Sequence, residues 1–108
     1  MDAPLQITFR GVDQSDGMEA LIRERAQRLE RFNHHILRCH VTVDQPHRHR
    51  QTGRAFTVHL DITTARGSVV LTHDPRGRDQ EQFGVAVWDV FDAATRQLEE
   101  EMRRRRGD

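Results

Sequence analysis

From residue 56 to residue 63 apolar and polar side chains alternate at every step, Phe56, Val58, Leu60 and Ile62 against Thr57, His59, Asp61 and Thr63. Period two over that length specifies a strand with one buried face and one wet face. The chain must therefore build a sheet that is covered on one side only. Shorter runs repeat the pattern. Leu5, Ile7 and Phe9 alternate with Gln6, Thr8 and Arg10 up to Gly11, and Cys39, Val41 and Val43 alternate with Arg38, His40, Thr42 and Asp44 until Pro46 removes a ladder donor. After residue 63 a tight connection through Ala65, Arg66 and Gly67, where Gly67 is free to take positive φ, leads into a fourth strand over about 68–72.

The cover comes from two stretches of helical period. Ser15 stands as a cap with Asp16 and Glu19 in the first turn, and Met18, Leu21, Ile22, Leu29 and Phe32 form an apolar stripe, which predicts a helix over 16–32 ended by Asn33. Phe83, Val87, Val90, Phe91, Ala94, Leu98 and Met102, flanked by Trp88, predict a longer helix over about 79–105. The order β-α-β-β-β-α makes the first strand pair parallel and the rest an antiparallel meander. The expected fold is an α/β two-layer sandwich, a four-stranded mixed sheet with both helices packed on one face. At 108 residues the chain fits one domain, spanning 1–108.

Several functions are excluded by what is missing. Cys39 is the only cysteine and falls on the apolar side of its strand, where a thiol is inert filling and has no partner for a disulfide. The best metal ligands, His47 and His49, are interleaved with Arg48 and Arg50, and neither a second Cys nor a carboxylate pair completes a site. His40 and His59 belong to the wet sheet face. The acids Asp89, Asp92 and 99–101 lie on a solvated helix face, where ion pairs with Arg96 and Arg103 account for them better than acid–base work. No Gly loop has the pattern of a phosphate cradle, no apolar run is long enough for a membrane span, and residues 1–6 carry no secretory pattern. A cytoplasmic, non-enzymatic protein without metal, cofactor or small-molecule substrate is expected.

What remains is arginine. All 17 fixed positive charges are Arg, with no Lys, and 17 acids bring the formal net charge to zero. Attraction to a polyanion must then come from segregation of charge along the fold. Arg25, Arg28 and Arg31 run along one edge of the first helix, where long stems can lie on apolar surface and extend the guanidinium outward. Arg48 and Arg50 stand in an acid-free loop, Arg76 and Arg78 precede the second helix, and Arg96, Arg103 and Arg104 lie on it. Planar, permanently charged guanidinium suits phosphate and base stacking, so these ten residues are the candidate RNA contacts.

The stretches Gln6-Ile7-Thr8-Phe9-Arg10-Gly11, 22–32 and Asp92-Ala93-Ala94-Thr95-Arg96-Gln97-Leu98 resemble the ribosome hibernation-promoting factor / ribosome-associated inhibitor family, also known as sigma-factor modulation proteins. The resemblance implies a factor that binds the small ribosomal subunit, on the rRNA of the channel for mRNA and tRNA, and silences translation under stress. By position Arg25, Arg28 and Arg31 match basic residues of the family's first helix and Arg96 one of its second. The family's Asp-x-Tyr-Ala-Ala-Ile-Asp opening of helix two is Gln82-Phe83-Gly84-Val85-Ala86-Val87-Trp88 here, a basic position is Ala93, and Glu99, Glu100 and Glu101 replace a basic tendency. The extra domain of long members is not expected. A double-stranded RNA-binding module and a protein-association domain, dimerising or regulatory, are the alternative readings.

Overall fold

The computed structural model describes residues 4–32, 35–45, 56–74 and 83–105. The elements are β1 (Leu5–Arg10), α1 (Asp16–Phe32), β2 (Ile36–Asp44), β3 (Thr57–Thr64), β4 (Gly67–His73) and α2 (Phe83–Arg105). The strands lie in the order β1-β2-β3-β4, with β1 parallel to β2 and the other pairs antiparallel. The two-layer β-α-β-β-β-α sandwich expected from periodicity is the fold observed.

Local chemistry explains the boundaries. Gly11, at φ 69°, turns the chain out of β1. Ser15 caps α1: its Oγ accepts from the Met18 N–H at 3.0 Å while its carbonyl accepts the first helical bond from Glu19. Gly67, at φ 139°, lets β3 return as β4, and the Thr64 hydroxyl locks that turn by donating to the Gly67 carbonyl and accepting from the Arg66 N–H.

The covered face of the sheet presents Cys39, Val41 and Val43 from β2, Val58, Leu60 and Ile62 from β3 and Val69 from β4, all buried. Ile22, Ala26 and Leu29 of α1 close over β1 and β2, while Val87, Val90, Phe91, Ala94 and Leu98 of α2 lie over β3 and β4. Phe56 and Phe83 meet edge to face at 5.4 Å, tying the start of α2 to the start of β3. Across the open face His40 pairs with the Thr8 hydroxyl at 2.9 Å and His59 with the Thr72 hydroxyl at 3.1 Å. Both imidazoles thus serve as cross-strand links.

Two expectations are corrected, and one strand extends further than its pattern. Phe32, assigned to the buried stripe of α1, is 72 % exposed, because it lies on the rim of the helix that faces α2, above the sheet and not against it. Met102 is also exposed: 23 helical residues span about 35 Å against roughly 24 Å for the seven of β4, so the last turns of α2 outrun the sheet. β2 begins earlier than its clean alternation, with a register shift between Ile36 and Arg38 that turns Leu37 to solvent. The expected end of α1 at Asn33 and start of α2 at Asp79 fall outside the described residues.

Burial sets the chemistry of Cys39. Desolvation, reinforced by the negative charges of Asp61 and Glu30, pushes its thiol up to about 12. At pH 8 a thiol reagent should label the native protein at least about a hundredfold more slowly than the guanidinium-unfolded chain, as an absorbance time course would show. A raised folded-state value stabilises the fold below the unfolded thiol's range. That contribution is lost as pH climbs from about 9 through about 12, so alkaline melts should weaken across that window. Equal labelling of both states would mean that the strand face is open.

Candidate nucleic-acid interface

The site is built on the side of α1 that looks toward α2. Both helices start from the same end of the sheet, and near their first turns Leu21 Cδ2 comes to 3.9 Å from where a Cβ on Gly84 would stand. Leu21 thereby marks the α2-facing side of α1. Arg25 lies one turn beyond it, Arg28 three residues later and Phe32 one further turn on, so all three follow the same edge. Arg31 sits on the outward side of the same two turns.

The state of each guanidinium differs. Arg25 is half-buried, and its Nε is sealed from solvent without a hydrogen-bond partner among the described residues. Such a cation has surrendered part of its hydration before any ligand arrives. Arg28 and Arg31 are exposed. None of the three forms an ion pair among the described residues.

Elsewhere on the helices carboxylates take up the charge. Arg23 is held by Glu19 at 2.8 Å, and hydrogen bonds from Arg23 and then Gln14 draw the Glu19 carboxyl below its ordinary value. Arg96 pairs with Asp92 at 3.3 Å, and Arg104 with Glu100 at 2.9 Å and Glu101 at 3.4 Å. The expected pairing of Arg103 is therefore corrected: Arg104, four residues after Glu100 and three after Glu101, takes both acids, and Arg103 stays exposed and unpaired among the described residues. Asp89 is engaged by His73 at 3.6 Å.

Of the ten nominated residues, the fold thus puts Arg25 and Arg28 on one edge of α1 and Arg31 on its outward side, all three without an ion pair among the described residues. It leaves Arg96 and Arg104 neutralised on α2 and Arg103 at the far end. Arg48, Arg50, Arg76 and Arg78, like His47 and His49, lie outside the described residues. Sequence reasoning undervalued Trp88 and Phe32. Trp88 is 50 % exposed on the side of α2 that Gly84 turns toward α1, a placement that the four-residue step from Gly84 could have suggested.

A cleft of about 380 Å³ opens at the other end, between the β3–β4 turn and the later part of α2. Its lining includes Ile36, Val69, Leu98 and Met102 together with Arg66 and Glu101. Its lining holds the hydroxyls of Thr64 and Ser68 and a single carboxylate, Glu101. Among the described residues no three His, Cys, Asp or Glu side chains gather as metal ligands, and no helix is long and apolar enough to cross a membrane.

Comparison with known proteins agrees with this architecture. A family model described as sigma 54 modulation protein / S30EA ribosomal protein matches residues 5–106. Among curated proteins none matches the chain. A ribosomal subunit interface protein from Coxiella burnetii superposes with a TM-score of 0.75 at 15 % identity, over 93 % of this chain and 98 % of that one. The N-terminal domain of Thermus thermophilus Protein Y superposes with a TM-score of 0.67 at 17 % identity, again over 93 % and 98 %.

Proposed function

The chain belongs to the sigma 54 modulation protein / S30EA ribosomal protein family, and on that premise we propose that residues 1–108 act as one non-enzymatic, cytoplasmic ribosome-binding domain that seats on the rRNA of the small subunit and silences translation under stress. The observation that carries the reading is that Arg25, Arg28 and Arg31 have no carboxylate partner among the described residues, while Arg23, Arg96 and Arg104 are ion-paired. Guanidinium groups without carboxylate partners are available for forked hydrogen bonds to phosphate and release its counterions on binding. The role named for the Coxiella protein, at the ribosomal subunit interface, is carried to this chain as part of the proposal.

Arg48, Arg50, Arg76, Arg78 and Arg103 extend the proposed contact set. Arg96 and Arg104 join it by exchanging a carboxylate partner for phosphate, a trade that returns less because an existing ion pair is lost. The test is sedimentation with purified small subunits. The chain should co-migrate at about 50 mM salt and be largely released at about 200 mM, since each neutralised phosphate adds to the salt slope. No co-migration at low salt, or retention that ignores salt, would defeat the reading.

A further inference from the structure

The seam between the helices holds more than cations. On its α2 side stands Trp88, half exposed, and on its α1 side, at the end of the helix, stands Phe32, more exposed still. Leu21 reaches Gly84 across the seam, and Arg25 on α1 and Trp88 on α2 each follow one turn further along their helices. Arg28 follows, and Phe32 lies seven residues beyond Arg25, about 10 Å along the axis. The result is a track of ring, two guanidinium groups without an ion pair among the described residues, and ring. Exposed aromatic rings beside cations offer a partner π faces to stack on and a charge complementary to an anion.

We propose that this seam is a site for unpaired nucleobases, with Trp88 and Phe32 as stacking platforms and Arg25 and Arg28 as the phosphate clamps between them. The proposal rests on the ribosome-binding reading and sharpens it, because paired strands keep their base faces stacked on one another and cannot offer them to a side chain. Every base has a π face, so such a platform is tolerant of sequence and selective for single strands, loops and splayed-out bases. Half-buried Arg25 adds a cation already partly dehydrated on the α2-facing side of α1.

The chain provides its own probe. Trp88 is the only Trp and there is no Tyr, so intrinsic emission reports on this position alone. The full chain is titrated at low salt with single-stranded oligoadenylate of about a dozen nucleotides, and separately with a duplex of equal length. The single strand should quench Trp88 strongly and the duplex weakly. Trp88→Ala should weaken binding to oligoadenylate, followed by anisotropy of a labelled strand, and to small subunits, followed by sedimentation, by about tenfold. Phe32→Ala should weaken both by about threefold, and Trp88→Phe should restore most of the Trp88→Ala loss.

Unchanged emission at saturating oligoadenylate, equal quenching by the duplex, or emission that follows protein concentration alone would overturn the proposal, the last by giving the rings to a second copy of the chain. If Trp88→Ala held small subunits as tightly as the parent while loss of the three arginines released them, the stacking site would fall and the ribosomal reading would stand. Quenching by oligoadenylate from a chain that never binds small subunits would leave the seam an RNA site and sink the ribosomal reading instead. Coincident thermal melts for parent and variants show that no effect comes from unfolding.

Discussion

On the proposed contact set, replacing Arg25, Arg28 and Arg31 together by Ala is expected to lower affinity for small subunits by about a hundredfold or more at low salt, because a hydrogen bond to a charged group contributes about 1.5–3 kcal/mol and three would be removed at once. The salt dependence changes with it. Each lost phosphate contact takes roughly 0.7–0.9 from the slope of log affinity against log salt, so the triple variant should show a slope shallower by about two units. Changing the three to Lys should preserve most of the slope while losing part of the affinity, since charge is kept and the planar fork is not. Arg96→Ala and Arg104→Ala, each already paired to an acid one turn away, should cost only a few-fold apiece. Arg28 and Arg31 are exposed, so the fold survives their truncation, and Arg25→Met retains the buried stem if Arg25→Ala loosens the seam. A triple variant that binds like the parent, with the same slope, would move the contact surface away from α1.

Most of the fold was legible because burial on one face writes itself as a period. The alternation through Phe56, Val58, Leu60 and Ile62 appears in the structure as four consecutive inward positions, and Ser15 caps α1 where a hydroxyl before an amphipathic run should. What the period hides is the third dimension. Phe32 keeps perfect step with Leu29 in sequence, yet the edge it occupies is decided by where α2 lies. The register shift beside Leu37 is equally silent, since Ile36 and Leu37 read as one apolar run and only the pairing with β3 separates them.

The candidate site was legible as a set of arginines and not as a choice among them. Part of that choice follows from spacing: Asp92 four residues before Arg96 and Glu100 four before Arg104 predict neutralised partners, and the ion pairs are there. Spacing alone misleads at Arg28, since Glu24 also stands four residues earlier and forms no ion pair among the described residues. The aromatic walls of the seam needed the contact between Leu21 and Gly84, a fact of packing that no single segment contains.

Leu60→Ala is expected to destabilise the protein by about 2–5 kcal/mol, which for a domain of this size shifts the thermal midpoint by about 10 °C or more. Leu60 is fully buried on β3, a central strand, opposite Val41 on one side and Leu71 on the other, with α2 above. Its side chain therefore meets neighbours from three elements, and the hole left by truncation cannot be refilled by any one of them moving. Total stabilities of about 5–15 kcal/mol make that loss a large share of the whole. The matched control is Val70→Ala on β4, opposite Asp61 on the open face and 64 % exposed, which should cost less than about 1 kcal/mol. Urea titrations of both variants give the comparison. Similar losses at the two positions would mean that both sheet faces are covered, which would contradict the one-sided sandwich and the open His40 and His59 face with it.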